Sequence, residues 1–282
     1  MTNYEKITVE PLGDAVGAED SDVELSEGLG DQEVAELRAA FAEHGVLFFR
    51  DQSLTPERQI AFAERWGKIV INRFFTPLEG YPQVAEVRKE PHQSINIGGG
   101  WHTDHSYDEI PALGSILSAQ ELPDEGGDTL FAGMAAAYDA LSEGLKETLE
   151  GLRALHSSRH VFGEEAELPT ELKERLGNAE QATQDAVHPV VIRHPLSGRK
   201  VLYVNPGFTR RFEGWTHDES QALLQYLYEH AAQPEFTVRF RWEVGSVAFW
   251  DNRATWHYAL NDYPGKRRLM HRITLDGEAL SQ

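Results

Sequence analysis

Apolar positions along this chain fall mostly into short runs separated by turn residues, with a few helical stripes between them. Val46-Leu47-Phe48-Phe49 is apolar at every position, as a strand covered on both faces requires. Ahead of it, residues 7–12 alternate like a short strand. From Asp31, an N-cap candidate, Val34, Leu37, Phe41 and His44 share one helical face up to Gly45. Thr55-Pro56 opens a second helix that carries Ile60, Ala63 and Trp66 inward. Strands are predicted at 84–87, 113–122 and 129–131, with a helix-rich stretch at 134–151 whose stripe is Met134, Tyr138, Leu141 and Leu145. Runs at 190–193 and 201–204 flank Pro195-Leu196-Ser197-Gly198 and read as a hairpin. A helix at 216–229 places Leu223, Leu224 and Leu227 inward, and strands close the chain at 236–242, 246–250, around His257 and at 268–275. Many short strands with inserted helices and no strict βα alternation predict one mixed α+β domain over 1–282 with a jelly-roll core. Residues 164–187 are polar and charged, and are expected to form an insertion, either a plain surface excursion or a lid over a site.

Composition narrows the chemistry. The 282 residues include no cysteine, so disulfides, thiolate metal sites and cysteine nucleophiles are excluded, and any metal must be held by His, Asp or Glu. A formal charge of −20 argues against tracking of nucleic-acid phosphates. No apolar run approaches the ~18 residues of a membrane span, and no signal-like start is present, so a cytoplasmic protein is expected. Against this acidity, Lys266-Arg267-Arg268 and Arg272 form the densest basic cluster and are suited to receive a small anion.

The residues with the clearest chemistry follow the Gly98-Gly99-Gly100 turn. In Trp101-His102-Thr103-Asp104, an extended backbone would point His102 and Asp104 the same way and Thr103 the other. One imidazole and one carboxylate on one face form part of a 2-His-1-carboxylate site, the ligand set of non-heme Fe(II) oxygenases. Of the 12 histidines, His44, His92, His217 and His230 sit in ordinary helix or loop contexts. His257 differs, because it follows a buried run that passes into the polar turn Asp251-Asn252-Arg253. A histidine simply packed between Trp256 and Tyr258 is the competing reading.

Taken in order, His102-x-Asp104, Gly126-Gly127-Asp128-Thr129-Leu130, Trp250-Asp251-Asn252-Arg253 leading to His257, and Arg267-Arg268-Leu269-Met270-His271-Arg272 resemble the TauD/TfdA family of Fe(II)- and 2-oxoglutarate-dependent dioxygenases. The intervals between the motifs agree. Val187-His188-Pro189, His194-Pro195-Leu196-Ser197-Gly198 and Val204-Asn205 extend the likeness over nearly the whole chain. The resemblance implies a double-stranded β-helix core and Fe(II) held by His102, Asp104 and His257. It also implies 2-oxoglutarate anchored by Arg268 and Thr129, and dioxygen as oxidant, with succinate and carbon dioxide as co-products. Because Asp104 retains the carboxylate that related halogenases lack, hydroxylation is the implied outcome. Arg272 matches the family's receptor for an anionic head group, with a structural ion-pair role as the alternative. Phe162 and Phe208 match pocket aromatics, and Asn72 and Phe75 belong to the facing segment. That segment lacks the histidine that taurine dioxygenase sets on its sulfonate, and Gly98 replaces an asparagine. A more apolar anion, an aryloxyalkanoate or an alkyl sulfate or sulfonate, is therefore favoured over taurine. A hydrolase or isomerase using the same ligands with another metal, or a non-catalytic 2-oxoglutarate sensor, are the competing classes. A homo-oligomer, dimer or tetramer, is the family habit.

Overall fold

The computed structural model describes residues 4–164 and 166–282, so residues 1–3 of the expected domain and residue 165 of the expected insertion lie outside the described residues. The fold is mixed, with many strands and fewer helices. Its largest sheet has nine strands, and its centre runs Val46–Phe49, Val247–Asp251, Gly114–Glu121, Arg268–Leu275 and Tyr81–Lys89, all antiparallel. Thr129–Gly133 lies between Thr237–Phe240 and Thr255–Ala259 in a three-stranded sheet.

Strand periodicity explains where the core sits. Leu47 and Phe49, with Val247 and Phe249, join one apolar cluster. Val46 and Phe48, with Ala248 and Trp250, join another. Alternate side chains therefore enter layers on opposite faces, which is why these runs are apolar throughout. The first layer is closed by the helices Asp31–His44 and Pro56–Glu64 through Leu37, Phe41 and Phe62, and by Trp66 just past the second helix. Phe41 and Phe249 stack there at 4.3 Å between ring centroids. The second layer also takes Phe131 and Phe240 from the small sheet and Leu117 and Met270 from the large one, so it fills the space between the two sheets. Phe48 and Phe240 stack across it at 4.0 Å.

Three local expectations change. The 134–151 stripe divides into Met134–Asp139 and Glu143–Glu150, because Ser142 adopts the extended conformation of an N-cap. Asp31 is the first helical residue, and Gly30 takes the cap position, its N–H donated to the Glu33 carboxylate at 2.7 Å. The His102–Asp104 segment is not a strand: His102 forms an isolated antiparallel bridge with His257, and Asp104 begins a turn. A third sheet, Asp185–Pro189, Arg153–Ser157 and Thr209–Phe212, joins the end of the 164–187 segment to the fold. Among the described residues, no helix is long and apolar enough to cross a membrane.

Candidate active site

The site is assembled by one backbone contact. His102 N–H donates to His257 O at 3.2 Å, and His257 N–H donates to His102 O at 2.8 Å. Residues paired in this way across antiparallel backbone present their side chains on one side, and the two imidazoles stand 4.1 Å apart between centroids. Asp104 completes the group: its carboxylate oxygens lie 3.7 Å from His102 Nε2 and 3.6 Å from His257 Nε2. The ligand atoms of all three fall within 4.8 Å of one another.

The motif residues between His102, Asp104 and His257 hold this geometry. Asp251, fully buried, accepts from Arg253 through Nε and Nη2 and from His194 Nε2, and this ties the turn ahead of His257 to the hairpin that carries His194. Asn252 accepts at its carbonyl from Thr103 Oγ1 and donates through Nδ2 to Ser115 Oγ at 3.2 Å. Ser115 in turn donates to Asp104 Oδ2 at 3.2 Å. Gly207 makes room beside the first ligand, since a Cβ there would meet His102 Cβ at 2.8 Å.

Electrostatics suit a cation. Burial alone would push the Asp104 carboxyl up, but the Arg272 guanidinium, with His257 and His102 behind it, holds it well below the usual carboxylate range. Burial, and next the neighbouring His102, keeps His257 well below its ordinary value, so its imidazole is neutral and able to ligate. His102 Nδ1 donates to Gly100 O at 2.8 Å, and its Nε2 is the ring atom that faces the carboxylate. A histidine held by a carbonyl on its outer nitrogen is typical of metal ligation. Two imidazoles and a carboxylate that converge on one point could hold a metal ion, and the donor set fits Fe(II).

Arg268 stands apart from this group and has a different need. It is 5% exposed, its Nε and Nη2 have no hydrogen-bond partner, and burial lowers its affinity for its proton. A guanidinium buried without a counter-charge is costly unless an anion completes it. Thr129 lies in the same cavity and accepts from Trp242 Nε1 at 2.9 Å, so its hydroxyl proton remains to be donated. Gly127, with φ of +75°, lets the chain pass the guanidinium, because a Cβ would stand 3.3 Å from Arg268 Cδ. A carboxylate bound by Arg268 and Thr129 fits these orphaned groups.

Arg272 has partners. Its Nη2 lies 2.7 Å from Asp104 Oδ2 and donates to Ser115 Oγ at 3.2 Å, while its Nε has no partner. The ion-pair alternative is thus physically present, with the buried Nε–H left unpartnered. A cavity of about 270 Å³ joins the ligands, Arg268 and Arg272, and Asn72, Phe75, Phe162 and Phe208 all line it. Asn72 Oδ1 accepts from the Phe74 and Phe75 N–H groups, so its carbonyl is used to shape the segment. Phe74 is buried beneath Phe162, stacked at 4.4 Å.

Sequence reasoning missed other lining residues. His105, in the left-handed region at φ +57°, donates through Nδ1 to Asp108, which Arg73 also clasps. Leu168, Leu172 and Leu176 line the far wall. Their signal was available as apolar positions every four residues within an otherwise charged stretch.

The fold and site present three side chains that could hold one metal ion, and a buried guanidinium whose Nε and Nη2 lack partners in the same cavity. Residues 8–274 match the family described as taurine catabolism dioxygenase TauD, TfdA, and the chain belongs to that family. It is 36% identical over 276 residues to an alpha-ketoglutarate-dependent sulfate ester dioxygenase of Pseudomonas putida, covering 97% of this chain and 90% of that protein. It is 35% identical over 299 residues to the alpha-ketoglutarate-dependent 2,4-dichlorophenoxyacetate dioxygenase of Cupriavidus pinatubonensis, covering 96% and 98%. A solved taurine dioxygenase from Burkholderia xenovorans superposes with a TM-score of 0.81 at 38% identity, over 98% of this chain and 91% of that one. The protein is a 2-oxoglutarate-dependent dioxygenase that uses Fe(II) and dioxygen.

Proposed function

We propose that the enzyme hydroxylates a C–H bond of a small organic anion with an apolar body, an alkyl sulfate or sulfonate or an aryloxyalkanoate, in preference to taurine. The substrate C–H, dioxygen and 2-oxoglutarate become C–OH, succinate and carbon dioxide. Iron bound by His102, Asp104 and His257 would supply the activation of dioxygen. Arg268 and Thr129 hold the far carboxylate of 2-oxoglutarate by charge-assisted hydrogen bonds. Arg272 keeps Asp104 ionised and presents its spare Nε–H to the substrate head group. The aromatic walls exclude water and fix which C–H faces the metal. We read the two sheets that enclose the second apolar layer as the jelly roll, or double-stranded β-helix, of this family, and we carry cytoplasmic placement and homo-oligomeric assembly as part of the same reading.

The observation that supports this substrate class is the apolar lining beside the charged groups: the Arg272 guanidinium lies 5.6 Å from the Phe75 ring centroid, the His102 and Phe208 ring centroids stand 6.3 Å apart, and Phe162 and the three leucines line the same cavity. Succinate release under Fe(II), 2-oxoglutarate and air, compared across taurine, alkyl sulfates and aryloxyacetates, tests it. Faster turnover of taurine than of every apolar anion would overturn the reading.

A further inference from the structure

We infer that the 164–187 segment supplies a subsite for an aliphatic tail and that the substrate is an anion carrying an extended alkyl chain. This rests on the proposed substrate class and narrows it. Leu168, Leu172 and Leu176 are spaced by four residues, and the turn Thr170–Lys173 continues through Arg175 N–H to Leu172 O at 3.0 Å and Leu176 N–H to Leu172 O at 2.9 Å. Leu172 and Leu176, four apart on that turn, share a face; Leu168 precedes the turn, ahead of Pro169, and all three leucines line the active-site cavity. The charged residues between them, Lys173 and Glu174, are exposed on the other side. The leucines themselves are only half-buried. Leu176 packs with Phe75, Val161 and Phe162 against the cluster of Phe74, Tyr107, Ala182 and Phe208, and the apolar area that all three leucines keep toward the cavity is what a substrate tail would remove from water.

The wall is held at a set distance from the metal ligands. Glu171 accepts from Ser94 N–H and Oγ, both at 2.7 Å, and Arg175 donates to Ile95 O at 2.7 Å, just ahead of the glycine turn that leads to His102. From the opposite side, Gly177 N–H donates to Phe74 O at 2.9 Å and Asn178 Nδ2 to Arg73 O at 2.7 Å. A wall anchored on both sides measures the length of what lies between it and Arg272. Leu172 and Leu176 stand about 6 Å apart along the turn, a length that several methylene groups fill. Val161 and Ile97 line the same cavity and add branched aliphatic surface.

The test uses n-alkyl sulfates from butyl to decyl with the wild-type enzyme, Leu172→Gln and Leu176→Ala. Succinate release gives kcat/KM, and titration calorimetry under nitrogen gives the Kd of each sulfate for the Mn(II)-loaded protein. In the wild type, affinity and kcat/KM should rise about fourfold per added methylene until the wall is reached. Each variant should flatten that slope and lose most on the longest chains, with the 2-oxoglutarate KM unmoved. A flat wild-type series, or variants that lose the same factor at every chain length, would overturn the tail subsite while leaving the anionic substrate class standing. No succinate from any anion would remove both.

Discussion

Replacing Arg268 by methionine separates binding from folding in a way few active-site changes do. In the free protein Arg268 Nε and Nη2 make no hydrogen bond, and its guanidinium lies 5.7 Å from the Trp242 ring centroid. Methionine keeps much of the volume and removes a buried charge that Asp128 attracts without a direct contact, so the free variant should be as stable as wild type or more so. With 2-oxoglutarate the sign reverses. Truncating one partner of a buried, hydrogen-bonded charge pair costs about 2–5 kcal/mol, a ~30- to 5,000-fold rise in Kd. Arg268→Lys should fall between, because an ammonium keeps the charge and loses the two-pronged geometry. Anaerobic titration of 2-oxoglutarate into the metal-loaded protein, read by calorimetry, gives the Kd, and urea unfolding of the free protein gives stability. Arg272→Ala is the contrast: it should leave the 2-oxoglutarate Kd nearly unchanged and weaken the primary substrate. The assignment fails if Arg268→Met destabilises the free protein while 2-oxoglutarate still binds normally, and the two arginines are exchanged if their phenotypes are swapped.

His102→Ala and Asp104→Ala should each lose bound Fe(II), measured by metal analysis after gel filtration, and lose succinate formation with the fold retained; a variant that keeps its metal would refute the ligand assignment. Arg253→Met should cost about 3–5 kcal/mol of stability, because it strips the bidentate cation from a fully buried Asp251 and leaves His194 and the backbone N–H of residue 253 as its partners; a urea midpoint equal to wild type would show that the pair is dispensable. His156 and His188 are both held below the ordinary histidine value, chiefly by burial. They stay neutral when folded and take up protons on unfolding below pH ~6.5, so stability that is present above that value is lost as pH falls, by at most about 1.4 kcal/mol per pH unit for each. His156→Phe should make that slope shallower between neutral and mildly acidic pH, and an unchanged slope would remove His156 from the account.

What could be read from the chain differs between its shared chemistry and its selectivity, and the reason is physical. Val46–Phe49 and Arg268–Leu275 were legible because a strand's environment is written in its own residues, one or two faces apolar. The strand Arg153–Ser157 was not, because Arg-Ala-Leu-His-Ser has little apolar weight and is stabilised by pairing on both edges. At the site, His102 and Asp104 were placed on one side for a reason that does not hold: there is no strand there, and the bridge to His257 does the orienting. The Arg272–Asp104 pair and the Ser115 hydroxyl between them join residues far apart in sequence, and no periodicity reports such contacts. Motifs record positions where a single side chain will serve: a metal ligand, a guanidinium fork, a buried carboxylate. Leu168, Leu172 and Leu176 work by being apolar and spaced, so any of several residues would serve and no motif forms. The wall proposed to select the substrate is therefore written in the same signal as an ordinary core stripe. It becomes distinguishable only when the fold shows that stripe lining the cavity that His102, Asp104 and His257 also line.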